Sequence, residues 1–336
     1  MITKLKFQNF KALKDAEVKL GMFNVIVGPN GSGKSSVLQA LRALTDPNLI
    51  SSGLSTTIGM PPQSLSINAA LKVGNREEKI KLGFHPSFGW VVMREPGSQF
   101  LAHTGIEGQE IFSVLNRIKV FSLEKSTLGK PVGAPQIAEL QRDGNNLVGA
   151  LTNLRDKDEE AYNRLREEFQ RWIPEYDALV FNNEPNGLRH LNLRQKISRG
   201  TIPALQASEG TLLALALLTI VHQPTPPILI GLEEPDGSLH PRLLRELRDA
   251  LYRLSFPSDF GIKRAPVQVV VTTHSPFFLD LFKEHPEQVI IAEKLADGTA
   301  TFKNLSDDKE LREIIGDAPL GEVWYSGVLG GVPAAV

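Results

Sequence analysis

Residues 22–44, MFNVIVGPNGSGKSSVLQALRAL, constrain this chain more than any other stretch. They contain Gly28-Pro-Asn-Gly-Ser-Gly33-Lys34-Ser35, a full G-x-x-x-x-G-K-[ST] pattern. Phe23–Val27 is a short apolar, β-branched run and predicts a buried strand. After the loop, Val37, Leu38, Leu41 and Leu44 recur at helical spacing. Strand, Gly-rich loop and helix start thus come in the order a phosphate-binding loop requires. Gly28, Gly31 and Gly33 permit backbone angles that side chains forbid. The loop N–H groups of Asn30, Gly31, Ser32, Gly33 and Ser36 can then turn toward an anion at the positive end of the helix. Lys34 adds a mobile charge for β/γ-phosphates, and the Ser35 hydroxyl is placed to bind Mg²⁺. A Gly-rich turn ahead of a core helix is the competing reading, and motifs further along the chain decide against it.

Composition narrows the class. The chain has 336 residues, room for one large domain or two ordinary ones. At 41% hydrophobic and 22% charged it has a globular balance. A formal net charge of −1 predicts no strong whole-chain attraction to nucleic acid. With no cysteine, disulfides, thiol catalysis and cysteine metal sites are excluded. The start, MITKLKFQNFKAL, lacks a sustained apolar core, and the apolar stretch Leu212–Val221 is too short to span a bilayer. The expectation is a cytoplasmic protein without a membrane partner.

Residues 2–20 alternate apolar and polar positions around a break at 9–14, which predicts a hairpin. Residues 46–63 read as a loop, and 64–94 as an antiparallel meander punctuated by Gly74-Asn75 and Gly89. From about 105 to 175 the pattern is mainly helical, with Ile118–Leu123 as a strand inside it. Residues 155–172 are expected to form one charged helix with Ala161, Leu165, Phe169 and Trp172 on its apolar face. Residues 176–182 and 188–194 predict a strand pair. A second α/β block follows: Ala207-Ser208-Glu209-Gly210-Thr211 before an apolar helix, the strand Pro227–Leu232 ending in Glu233-Glu234, an amphipathic helix over 239–254, and the strand Val267–Thr273 ending in His274. Alternating strands and helices imply a largely parallel sheet, whose sites lie at the carboxyl ends of its strands. The loop, Glu233/Glu234 and His274 all follow strands, so one sheet edge can collect them.

The chemistry fits that edge. Triphosphate hydrolysis needs an acid near the metal and a carboxylate to orient or deprotonate water. Glu233-Glu234 supplies both, and His274 could donate a hydrogen bond to a γ-phosphate.

Taken together, GPNGSGKSS (28–36), ASEGT (207–211), LEEPDGSLHP (232–241) and TTHSP (272–276) resemble the ABC-type ATPase heads of the SMC/RecF/OLD branch, stand-alone members of the AAA family ATPases. FQNFKAL resembles the family's N-F-R segment, with Lys11 in place of the usual Arg. The resemblance implies an α/β P-loop NTPase fold: an ABC-ATPase head with a mixed sheet, an antiparallel β subdomain and an inserted helical lobe. It implies one domain over 1–336, with an N-terminal lobe (1–104), a helical lobe (105–200) and a C-terminal lobe (201–336). It also implies a head-to-tail homodimer that sandwiches ATP and Mg²⁺. By position, Lys34, Glu234 and His274 are the catalytic candidates, with Glu234 as base and His274 as switch histidine. Ser35 and Glu233 are the metal candidates. Asn30 to Ser36, Lys11, Ser208 and Gly210 are the nucleotide-binding candidates, the last two reaching the γ-phosphate held by the other subunit.

This sequence departs from the family in places. Glu233 stands where many relatives have Asp, Gly231 interrupts the apolar strand, and Glu209 stands where many signature motifs have Gly. The longer Glu233 carboxylate points to slow hydrolysis. The Q-loop glutamine is unplaced, with Gln99 and Gln109 as weak candidates. No N-K-x-D guanine motif is present, which favours ATP. There is no long heptad region for an SMC arm, and Asp307, Asp308, Glu310 and Glu313 read as a helix start rather than a nuclease metal cluster. The leading expectation is an ATPase that controls a separate operon-encoded effector, such as a Toprim-like nuclease, in DNA maintenance or phage defence. The alternatives are a RecF-like repair clamp, with DNA as partner, and a transporter's ATP-binding subunit. Trp324 and Tyr325 either anchor on a partner or pack back on the head.

Overall fold

A computed structural model describes residues 1–50, 56–96, 99–101, 105–133, 139–307 and 315–332. The expected helix start at Asp308, Glu310 and Glu313 lies outside the described residues; Asp307 ends a short 3₁₀ turn, Leu305–Asp307. The chain divides into two compact units that interleave along the sequence instead of following the three sequence segments. One comprises 1–120, 227–234 and 265–336; the other comprises 121–226 and 235–264.

The first unit holds two six-stranded sheets. The antiparallel one runs β2-β1-β4-β5-β6-β7, from β1 (Ile2–Phe10), β2 (Leu13–Lys19), β4 (Ser66–Val73), β5 (Arg76–His85), β6 (Gly89–Glu95) and β7 (Gln99–Phe100). The period-2 reading holds on its inner face. Leu5, Phe7, Ile67, Ala69, Leu71, Ile80 and Leu82 are buried there. The mixed sheet is assembled from β3 (Phe23–Val27), β8 (Ile118–Phe121), β13 (Leu229–Glu233), β14 (Gln268–Thr273), β15 (Val289–Lys294) and β16 (Ala300–Asn304). Its order is β16-β15-β3-β14-β13-β8. The pairs β13/β14, β14/β3 and β3/β15 are parallel, and β15/β16 is antiparallel. β3 and β14 are buried along their whole length, as expected for strands covered on both faces.

Helix α1 (Lys34–Thr45) buries Val37, Leu38, Leu41 and Leu44 in the same core as Phe7, Leu13 and Ile26. A methyl at Gly231 would come within 3.0 Å of both Leu38 Cδ2 and Val120 Cγ2. At the glycine that interrupts the apolar run, side chains of α1 and β8 therefore leave little room for a methyl. α2 (Gly105–Leu115) also belongs to this unit and buries Ile111 and Leu115. The terminal helix Leu320–Tyr325 buries Trp324, while Tyr325 is exposed. Of the two aromatics, either partner anchors or packed back on the head by sequence, Trp324 packs into the chain's own core.

The second unit contains β9 (Val132–Gly133), β10 (Tyr176–Asn183), β11 (Leu188–Gln195) and β12 (Thr201–Pro203) in a small antiparallel sheet. α3 (Leu147–Lys157) and α4 (Glu159–Trp172) pack against it, α5 (Glu209–His222) packs on those two helices, and α6 (Pro241–Ser255) packs on α5. The expected single helix over 155–172 is two helices. Asp158 ends α3 and caps α4, its carboxylate accepting from Ala161 N at 2.9 Å. The Ala161, Leu165, Phe169 and Trp172 face is buried as read. α5 is buried almost all round, from Thr211 to Val221. Among the described residues no helix is long and apolar enough to cross a membrane.

Candidate functional site

The order of the mixed sheet places three chemistry-bearing turns together. β14 lies between β3 and β13, with Val27 opposite Thr273 and Thr272 opposite Glu233. The carboxyl ends of these strands lead into Gly28, Glu233-Glu234 and His274, so the expected common edge is formed.

At that edge the loop from Gly28 to Gly33 ends in an unusual helix start. The N-cap of α1 is Gly33, at φ 87°, with no side-chain cap. Only glycine adopts that angle at low cost, and the first-turn N–H groups are left for an external acceptor. Gly28 is required by packing. A methyl there would sit 2.3 Å from Ala292 O and 2.8 Å from Ser32 Oγ. Ser32 is buried, and its hydroxyl has no hydrogen-bond partner among the described residues.

Lys34 is buried and donates to Gly28 O at 2.8 Å and Pro29 O at 3.0 Å. Burial pushes its pKa below the ordinary lysine value, against the opposing pull of Glu234 and Glu233. Such an ammonium, held by two neutral carbonyls, gains from an anionic partner.

Lys11 reaches the same place from the β1–β2 turn. Its backbone is left-handed (φ 56°), as is that of Asn9 (φ 51°). The turn is secured by Asn9 Nδ2 on Ser64 Oγ at 3.0 Å and by Thr57 Oγ1 donating to Lys11 O at 2.8 Å. The Lys11 ammonium donates to Gln39 on α1. Its pKa is lowered by burial, with Glu233 opposing.

Glu234 faces this loop from β13. Its φ of 44° is costly for a residue with a side chain. Its N–H holds the turn by donating to Thr272 O at 3.1 Å and Thr272 Oγ1 at 3.3 Å. One carboxylate oxygen lies 3.3 Å from His274 Nδ1. Together, Lys11, Asn30–Ser36 and Glu234 line a cavity of about 200 Å³. That is room for a polyphosphate tail rather than a whole nucleotide. Glu233 and His274 are not among its walls. Glu233 acts on it through the field felt by Lys34 and Lys11, and His274 through its contact with Glu234.

In the second unit, Ser208 caps α5. Its hydroxyl accepts from Thr211 N at 3.1 Å and lies 2.8 Å from Thr211 Oγ1. A methyl at Gly210 would sit 2.7 Å from Ser238 O, which ties this helix start to the turn following Pro235. Glu209, the departure from the signature pattern, pairs with Lys125 at 3.2 Å.

Three contributors were not picked out from sequence: Thr272 as the anchor of the Glu234 turn, Gln39 as the partner of Lys11, and Ala12 in the cavity wall. Thr272 carried a signal, because a buried threonine beside a strand end is free to fix the neighbouring turn. Gln109, one weak Q-loop candidate, is exposed on α2 and lies outside the cavity.

Known proteins converge on the same description. Residues 102–280, more than half of the chain, match the family described as "AAA domain, putative AbiEii toxin, Type IV TA system", and residues 1–85 match an AAA ATPase domain. The fold is similar to an SMC head crystallised with the C-winged helix domain of ScpA. The TM-score is 0.63 at 15% identity, over 91% of this chain and 99% of that one. It is also similar to the SMC head domain from Thermotoga maritima, with a TM-score of 0.50 at 15% identity over 90% and 98%. A 41-residue stretch is 44% identical to the OLD nuclease of Thermus scotoductus, spanning 12% of this chain and 8% of that protein. The chain therefore belongs to this AAA domain family, with the fold of an SMC head.

Proposed function

We propose that the chain binds and hydrolyses Mg-ATP, and that two copies close head to tail around it. The observation that carries the reading is the convergence of Lys11, Asn30–Ser36 and Glu234 on one cavity. An uncapped helix start, a buried ammonium that donates to two carbonyls, and a Ser32 hydroxyl without a partner among the described residues suit a phosphate chain.

In this mechanism Lys34 leaves its two carbonyl acceptors and pairs with the β- and γ-phosphates, with Lys11 adding a second cation. The amides of Asn30 to Ser36 hold the remaining oxygens. Glu234 orients the attacking water and accepts its proton, its carboxylate positioned by His274. The Ser35 hydroxyl and the Glu233 carboxylate would hold Mg²⁺, which neutralises charge on the phosphates. Ser208 and Gly210 of a second copy would complete the site at the γ-phosphate. The dimer in turn controls a separate effector of the Toprim-like nuclease class, in DNA maintenance or phage defence.

The test is Glu234→Gln. It should leave ATP affinity unchanged and lower turnover about 10²- to 10⁴-fold, the range expected for loss of a general base. Light scattering should then find an ATP-dependent dimer. A monomeric variant with wild-type turnover would overturn both the base assignment and the sandwich.

A further inference from the structure

A second polar cavity, of about 680 Å³, lies wholly within the second unit, walled by α4, the end of α5, α6 and residues 262–264. Arg164, Arg171, Arg253, Lys263 and Arg264 line it, against Asp158, Glu167 and Glu168. Five cations against three acids leave a surplus of two positive charges.

Two of the acids are already committed. Asp158 caps α4. Glu168 is buried between His222 Nε2, at 2.8 Å, and the Arg253 guanidinium. Burial alone would raise the Glu168 pKa, but His222 and Arg253 together hold it below the ordinary glutamate value. Arg253 is spent in the same cluster. Arg264 is different. Its Nε and Nη2 are both buried and have no hydrogen-bond partner among the described residues. Those two atoms form one edge of the guanidinium, the fork that grips two oxygens of a phosphate or carboxylate at once. An unpaired buried guanidinium edge is costly to keep, which gives an anion a reason to bind there. The Gln223 amide nitrogen, also buried and without a partner among the described residues, adds a neutral donor to the same wall.

The rest of the wall is apolar, with Val221, Leu254, Ile262, Pro224 and Pro226. The volume lies in the range of small-molecule sites and exceeds what a bare oxyanion fills. We infer that this cavity is a second ligand site, separate from the phosphate loop. It takes a small phosphate ester, with its dianionic head on the Arg264 fork and its organic body against the apolar wall. A dianion balances the surplus of two charges, which a single carboxylate does not.

The test uses AMP and inorganic phosphate as probes, titrated calorimetrically into the Lys34→Ala variant of the whole chain so that binding at the phosphate loop is weakened. AMP should bind at one site per chain, about tenfold tighter than inorganic phosphate. Adding Arg264→Gln should weaken AMP at least tenfold. Arg171→Ala, at an exposed position of α4, should weaken it several-fold while leaving the circular dichroism unchanged, which keeps the test valid if Arg264→Gln fails to fold. No AMP binding to Lys34→Ala, or equal AMP binding with Arg171→Ala and any folded Arg264→Gln, would overturn the site. Malonate binding as tightly as AMP would overturn the phosphate assignment.

Discussion

Two helix starts in this chain look alike in sequence and differ in what they leave open. α1 follows a glycine-rich loop and begins GSGKSS, and α5 begins SEGT with its glycine inside the first turn. α5 begins at Ser208, whose hydroxyl already accepts from Thr211 N, so its first turn is internally satisfied. α1 begins at a left-handed glycine with no side-chain cap, beside a buried lysine and a serine hydroxyl without a partner among the described residues. A helix N-terminus attracts anions through its dipole in either case. Only the uncapped one is built as a receptor. The capped one is suited to present a fixed surface to something held elsewhere. That contrast is what a composite site formed by two copies of one chain requires.

The sharpest way to break the contrast is Lys34→Ala. Charge-assisted hydrogen bonds contribute about 1.5–3 kcal/mol each, so ATP affinity should fall roughly 10- to 150-fold by calorimetry. The matching change in the other region, Ser208→Arg, should leave single-subunit affinity intact and abolish ATP-dependent dimerisation. Unchanged affinity in the first variant would remove the receptor reading of α1. The Lys34 pKa adds a pH signature. Because burial holds it below the ordinary lysine value, the free protein loses the ammonium, and with it ATP affinity, as pH rises through that lowered value. Affinity measured across the alkaline range should fall earlier than an unburied lysine would allow.

A smaller effect tests the shape of the receptor. Gly28→Ala forces a methyl against the Ala292 carbonyl, which belongs to strand β15 and has little freedom to yield. Overpacking of this kind costs about 1–3 kcal/mol, readable as a lower urea midpoint at constant slope. No loss of stability would mean that the β3 end and β15 are not as close as they stand here.

Much of this was legible beforehand, for definite reasons. The loop, the Glu233-Glu234 pair and His274 were readable because each carries a local residue pattern at a strand end. The hairpin, the meander and the strand pair followed from period-2 alternation. The break at Asp158 was hidden by a continuous apolar face, since Ala161 and Leu165 suit one helix or two; the sign was the cap residue itself. The role of Thr272 was hidden because it depends on β14 lying beside β13, a long-range pairing that no local pattern encodes. Arg264 was hidden for the same reason. Its missing partner is a property of the cavity wall and not of the segment GIKRAPV.

The smallest effect separates capping from ligand binding at α5. Ser208→Ala removes one N-cap acceptor, and such changes cost about 1 kcal/mol. Ser208→Asp restores an acceptor to Thr211 N, so stability should return to near the wild-type value by thermal denaturation. The two variants part company in the dimer. An aspartate places a negative charge where a second copy's γ-phosphate would lie, so Ser208→Asp should be stable and fail to dimerise with ATP. Ser208→Ala should be slightly less stable and still dimerise, because the helix-start amides remain. If Ser208→Asp dimerises as well as the wild type, α5 is an ordinary capped core helix, and the resemblance between the two helix starts carries no functional meaning.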